Sequence, residues 1–212
     1  MNHKMVSYAC SLCLMAIFSV PTLALADTQF NGDSPGTGNN ECPVGLVSGL
    51  TLDQEFGPGA SAITHCVQKR HDVRVLFQID RFCGDPTKSN AMCTGPYALG
   101  NMDNAVNDYE ITDGMVRGRD YKMIAVVYGS GGLMLLKGNK FESKVKALMA
   151  EGVKFYFCQN TVRGFIKAGL LPNFSTSGQP AASGLIDGVE YVTAGVTSVL
   201  DYEARGWSVI AP

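Results

Sequence analysis

The 212-residue chain reads as an α/β fold: three layers, with a mostly parallel five-stranded sheet carrying helices on both faces. Three observations predict this. β-Branched and aromatic runs of strand length recur from residue 73 to the C-terminus, amphipathic stretches lie between them, and the links are short. Parallel neighbours need crossovers, and a helix is the usual one.

The first run, Val73-Arg74-Val75-Leu76-Phe77-Gln78-Ile79-Asp80, has the composition of a core strand. Leu99, Met102, Val106 and Tyr109 then recur at helical spacing, with Gly114 and Gly118 as stops. Residues 122–128 are apolar almost without a break, as a strand covered on both faces should be, and end in Gly129-Ser130-Gly131-Gly132. Phe141, Val145, Leu148 and Met149 form the stripe of the next helix, with Glu142 and Lys146 paired on its other side and Gly152 as its stop. Strand 153–157 follows, then a short helix over 161–168 and a polar crossing over 172–184. Val189-Glu190-Tyr191-Val192 is the fourth strand. Thr193 is placed to cap a helix carrying Val196, Val199 and Leu200 up to Gly206, and 207–210 closes the sheet. Ligands of such sheets gather at the carboxyl edge, which the loops 129–132, 158–161 and 193–196 should share.

Upstream, a basic start at Lys4, an apolar core and Ala24-Leu25-Ala26 describe a secretory signal peptide over 1–26, cleaved before Asp27. A periplasmic or secreted location follows, with no membrane attachment after cleavage, since no later stretch has the roughly 20 apolar residues that spanning requires. Residues 27–71 read as a flexible N-terminal segment pinned by a disulfide, with no secondary structure assigned around 44–52, and the α/β domain covers 72–212.

Of the seven cysteines, Cys10 and Cys13 have redox spacing but lie in the discarded leader. Cys42, Cys66, Cys83, Cys93 and Cys158 remain. In an oxidising compartment an odd count implies two bridges and one free thiol. Cys83 with Cys93 would close a turn-rich loop, Cys42 with Cys66 would pin the N-terminal segment, and Cys158 is left over.

Cys158 sits where an apolar strand gives way to Gln159-Asn160-Thr161. A thiol there faces the unpaired N–H groups of a helix N-terminus, which favour thiolate. The competing reading is a small apolar residue packed at a strand end, because free cysteine is among the most buried residue types. Arg163 is near enough in sequence to assist the thiolate. His71 precedes the first strand, at the opposite edge, which removes a cysteine–histidine dyad.

Other chemistries find little in the residues. The formal charge is −2, one unit more negative without Lys4, and there is no basic run, so nucleic acid and anionic lipid are excluded as partners. His65-Cys66 has no second pair at zinc spacing, so no metal is expected. The 129–132 turn lacks the Gly-Lys-Ser/Thr of a phosphate loop, and Met134 stands where a dinucleotide fingerprint needs glycine, so no cofactor is expected. Its free N–H groups would suit a small anion such as a sulfur oxyanion. Asp80, Asp103, Asp108, Glu110 and Asp113 read as solvated strand-end and helix-surface charges.

The elements Val153-x-Phe155-x-x-Cys158-x-Asn160-Thr161, Val192-x-x-Gly195-Val196 and Gly206-Trp207-x-x-Ile210-x-Pro212 together resemble the DsrE/DsrF-like family, in particular its YchN-like branch, over 72–212. The resemblance implies a compact α/β domain assembled as trimers or hexamers, with Cys158 carrying sulfur as a persulfide. It implies that Asn160 and Thr161 shape the loop and cap the helix, and that Gly129, Gly131, Gly195 and Val196 wall a small site. Partners would be other copies of the chain and a small sulfur species or a sulfur-carrier protein. Where relatives often show histidine before the glycine turn, this chain has Tyr128, which removes a possible proton partner. The alternative is a non-enzymatic oligomeric binding or scaffold module in which Cys158 is structural.

Overall fold

The computed structural model describes residues 48–64, 71–82 and 94–211. The expected signal peptide and the expected pairings of Cys42, Cys66, Cys83 and Cys93 fall outside these residues. The described part contains an α/β fold whose five strands all pair in parallel.

In chain order the elements are α1 (Leu52–Phe56), α2 (Ala60–Ile63), β1 (Val73–Ile79), α3 (Thr94–Asn107), β2 (Tyr121–Val127), α4 (Glu142–Ala150), β3 (Lys154–Cys158), α5 (Gln159–Lys167), α6 (Phe174–Ser177), β4 (Glu190–Val192), α7 (Gly195–Ala204) and β5 (Ser208–Ile210). A π-helical turn, Asp108–Thr112, extends α3, and a 3-10 helix, Gly129–Leu135, follows β2. A second 3-10 turn, Ala181–Gly184, joins α6 in what reads in sequence as an unstructured crossing.

The strand order is β4-β3-β2-β1-β5. The chain steps outward from β1 to β4 and then returns to the far side of β1, and right-handed crossovers put the first three connections on one face and the return on the other. The side chains agree. Val75, Phe77, Ile79, Met123, Ala125, Val127, Phe155 and Phe157 pack with Leu99, Met102 and Val106 of α3, Val145 and Leu148 of α4, and Val162 of α5. The alternate residues Leu76, Ile124 and Val126 pack with Val199 of α7, and with Tyr128, Tyr156, Tyr202 and Trp207. A fully buried phenylalanine contributes about 1.5–3 kcal/mol, so Phe155 and Phe157, both 0 % exposed, seat β3 firmly one step before Cys158.

Several sequence expectations shift. α1 begins in the stretch left unassigned, on a capping box: Thr51 Oγ1 accepts from Gln54 N–H at 3.2 Å and Gln54 Oε1 accepts from Thr51 N–H at 2.9 Å. α5 begins at Gln159, two residues before the expected start, which makes Cys158 its N-cap in place of Thr161. Thr193 does not cap α7; the N-cap is Ala194, whose side chain offers no acceptor. Among the carboxylates, Asp113 is 1 % exposed and not a surface charge, and Glu110 is tied to Arg117 at 2.8 Å and to the Tyr121 hydroxyl at 2.6 Å. The expected Glu142–Lys146 pair is present at 2.5 Å.

Candidate functional site

The parallel register lays the ends of β2, β3 and β4 along one edge, with Val127 beside Phe157 and Cys158 beside Val192. Cys158 shares its sheet face with Tyr156 and so turns toward α7. Among the described residues it is the free cysteine, 4 % exposed.

Two helix starts converge on its sulfur. As the N-cap of α5, with φ −64° and ψ 120°, Cys158 stands before the orphan N–H groups of that helix. From the other side, Gly195 at the first position of α7 donates its N–H to Cys158 Sγ at 3.1 Å. With no side chain capping α7, this N–H is left for the sulfur. Burial pushes the Cys158 thiol up, but the N–H groups of Thr161, Gly195 and Asn160 and the Thr161 hydroxyl together outweigh it, and the thiol ionises below its ordinary range. The Thr161 hydroxyl accepts the Gly129 N–H at 2.9 Å and so keeps its proton for the sulfur, a two-bond relay in which each bond polarises the next.

The other expected site residues divide. Asn160 and Thr161 act on the sulfur through their amides, and Gly195 meets it directly. Arg163 does not assist the thiolate: its Nη1 donates to Asn160 Oδ1 at 2.5 Å, on the exposed side of α5. Val196, the next residue of α7, is 58 % exposed. The glycine turn offers no anion cradle at Gly129 or Gly131, because Gly129 N–H is spent on Thr161 and Gly131 N–H on the carbonyl of Asp80 at 3.1 Å. The glycines are there for close approach. A Cβ on Gly131 would lie 2.7 Å from the Ile79 carbonyl oxygen, and one on Gly132 would lie 2.4 Å from the Phe157 ring.

Sequence reasoning placed Tyr128 before the glycine turn only as a lost proton partner, and missed Gln78 as part of this edge. Gln78 Nε2 donates to the Tyr128 hydroxyl, and the Tyr128 ring lies against Gly195. A polar residue at the alternating position of an otherwise apolar strand was the available signal for Gln78. His71 lies at the opposite edge, bonded to Asp120 at 2.6 Å. A groove of about 530 Å³ lined by Tyr156, Tyr202 and Trp207 also lies away from the thiol, toward the amino ends of β2 and β3.

Among the described residues no group of three or more histidine, cysteine, aspartate or glutamate side chains is placed to hold a metal, and no helix is long and apolar enough to cross a membrane. No family model matches the chain, and no curated protein matches it. Among solved structures, a protein of unknown function from Methanobacterium thermoautotrophicum, MTH1491, is similar at 26 % identity with a TM-score of 0.48, covering 66 % of this chain and 100 % of its own.

Proposed function

We propose that this chain is an exported sulfur-handling protein of the DsrE-like kind that holds sulfur as a persulfide on Cys158, a carrier more than a catalyst of turnover. One observation carries the reading: the sulfur sits between two helix N-termini and takes the Gly195 N–H at 3.1 Å. Donors so placed stabilise an anion, and the thiolate is the nucleophilic form of cysteine. The step is an exchange at sulfur. The Cys158 thiolate attacks the outer sulfur of a donor R–S–SH, the donor S–S bond breaks, and RS⁻ leaves with the electron pair, giving Cys158–S–SH. No oxidant is consumed. The same N–H groups that hold the thiolate would hold the persulfide anion that replaces it.

Partners under this reading are a small sulfur species or a sulfur-carrier protein, and further copies of the chain. The test is mass spectrometry of the mature protein after exposure to polysulfide. Sulfur additions should map to Cys158 and disappear in Cys158→Ser. Unmodified Cys158 under conditions that load a known persulfide carrier refutes the proposal.

The second reading, an oligomeric scaffold with Cys158 as packing, is favoured by the 4 % exposure of that residue. It expects Cys158→Ala to lose stability without losing any sulfur uptake, because there would be none to lose.

A further inference from the structure

Of the donors on the Cys158 sulfur, the α5 amides come with the strand that carries it, but the Gly195 N–H is delivered from 37 residues away. Something must hold the first turn of α7 at the right height over the sheet. The contact that does so is with Tyr128. A Cβ built on Gly195 would lie 2.6, 2.8 and 2.9 Å from Cδ1, Cγ and Cβ of that tyrosine, so the backbone of the first turn rests directly on the root of the ring. The ring is in turn held at its far end, where Gln78 Nε2 donates to the hydroxyl. Gln78 is on β1, beside Val126 in the register and so on the far side of β2 from Cys158. The ring therefore leans from β2 toward β1, away from the thiol, and its hydroxyl is committed to Gln78.

We propose that Tyr128 is a positioning residue for the Cys158 site: its ring, tethered by Gln78, is the seat on which α7 rests so that the Gly195 N–H meets the sulfur. This deepens the persulfide reading and rests on it, because positioning matters only if the sulfur works as an anion. It also gives Tyr128 a task other than the proton transfer that a histidine there would offer. Burial pushes the Tyr128 phenol up; the Gln78 bond pulls it down, and the neighbouring charges of Asp80 and Cys158 push it up again. The phenol stays neutral across the working range. Of the charged groups nearby, Asp80 stands at the end of β1 and Arg163 on α5 is held by Asn160. The first turn of α7, Gly195-Val196-Thr197, brings none.

The experiment measures the rate of Cys158 modification by a small methanethiosulfonate against pH in the full mature chain, beside urea unfolding. Without the seat the thiolate loses one charge-assisted hydrogen bond, and each pKa unit is a tenfold change in the ratio of thiolate to thiol. Tyr128→Ala should therefore move the midpoint up by about one pH unit, which is a tenfold loss of thiolate on the acid side. Tyr128→Phe, which keeps the seat and loses the tether, should shift it by less than half as much. Gln78→Leu should match Tyr128→Phe. If Tyr128→Ala does not fold, the Gly195 amide proton is followed by NMR in wild type and Tyr128→Phe; its shift should titrate with Cys158 in wild type, with a smaller amplitude in the variant. A folded Tyr128→Ala with the wild-type midpoint overturns the inference, and so does a Gly195 amide indifferent to the ionisation of Cys158. A wild-type Cys158 that ionises below the free-thiol range but takes up no sulfur instead defeats the persulfide reading, leaving the role of Tyr128 intact.

Discussion

At the scale of single residues, the thiolate-favouring setting of Cys158 was only half legible in the sequence. A cysteine closing an apolar strand before Asn160-Thr161 announces a helix start, so the α5 donors follow from local sequence. The Gly195 donor and the Gly129–Thr161 relay do not, because both join residues more than 30 positions apart, and no local pattern encodes such a pair. Arg163 misled for the converse reason: nearness in sequence put a cation beside the thiol, while the helix turn hands it to Asn160. The relay supports a prediction. Thr161→Val removes the hydroxyl that serves the sulfur and leaves Gly129 N–H unpaired. Because that hydroxyl is the smallest of the stabilising contributions named for the thiol, the midpoint of Cys158 alkylation should rise by no more than about one pH unit. In wild type the midpoint should lie below about 8.5, the free-thiol value. Since the shift is downward, the thiolate gains on the thiol at every pH, and the fold difference in rate between the variant and wild type should be largest at pH values below both midpoints. An alkylation profile for Thr161→Val that overlays wild type would remove the relay from the account.

At the scale of elements, strands and helices with strong periodicity fell where the residues place them, while their ends did not. The register of apolar residues fixes which face is buried; the caps are fixed by hydrogen bonds that compete. Thr193 has the side chain for a cap, yet α7 starts at Gly195 without one, and the uncapped end is what the sulfur uses. Thr51-Leu52-Asp53-Gln54 carries the reciprocal signature of a capping box, so α1 was legible and simply not read. The 129–132 turn shows the same competition. Its glycines look like an anion loop, but Gly131 lies 2.7 Å, at its virtual Cβ, from the backbone oxygen of Ile79, and backbone cannot swing aside. Gly131→Ala should accordingly destabilise by about 1–3 kcal/mol, the usual range for overpacking, seen as a lower urea midpoint with unchanged slope. A stability equal to wild type would mean that β1 and the turn are not tightly apposed. At the other edge, Asp120 is fully buried and takes bonds from Arg119 at 2.7 Å, Val116 N–H at 2.8 Å and His71 at 2.6 Å. Chiefly the Arg119 guanidinium, with the Val116 amide next, holds its carboxyl well below the usual range. A depressed folded pKa contributes stability that is complete above the unfolded value, about 3.9, and is lost as pH falls below it. Wild type should therefore lose stability steeply under pH 4, and Asp120→Asn should be less stable at pH 7 with a flatter acid limb. Parallel acid limbs for the two proteins would show that Asp120 is not the group responsible.

At the scale of the whole molecule, the two faces of the sheet are unequally covered. α3, α4 and α5 close one side with a continuous core; among the described residues the other carries α7 alone, over a smaller cluster. The asymmetry follows from the strand order, since three crossovers run outward and a single one returns. It leaves apolar surface in water. Val196 and Leu200, four residues apart and so on one side of α7, are each 58 % exposed, and Tyr191 on β4 is 39 % exposed. The same return places the start of α7 on the thiol, so the helix that completes the site also presents exposed apolar side chains. Large contiguous apolar patches mark interaction sites, and a closed symmetric assembly of identical copies is the commonest way to cover one. Under the proposed function, further copies of this chain would cover these side chains. Light scattering coupled to size exclusion should then give a mass several times that of the mature chain. Leu200→Glu, which puts a charge on an exposed position that α7 does not need for its own core, should reduce the mass to that of one chain without changing the circular dichroism. It should also loosen the first turn of α7 only slightly, so the alkylation midpoint of Cys158 should hold. A wild-type protein that is monomeric at the highest workable concentration would detach the assembly from the fold, and a monomeric Leu200→Glu with a raised midpoint would show that neighbouring copies help to press Gly195 onto the sulfur.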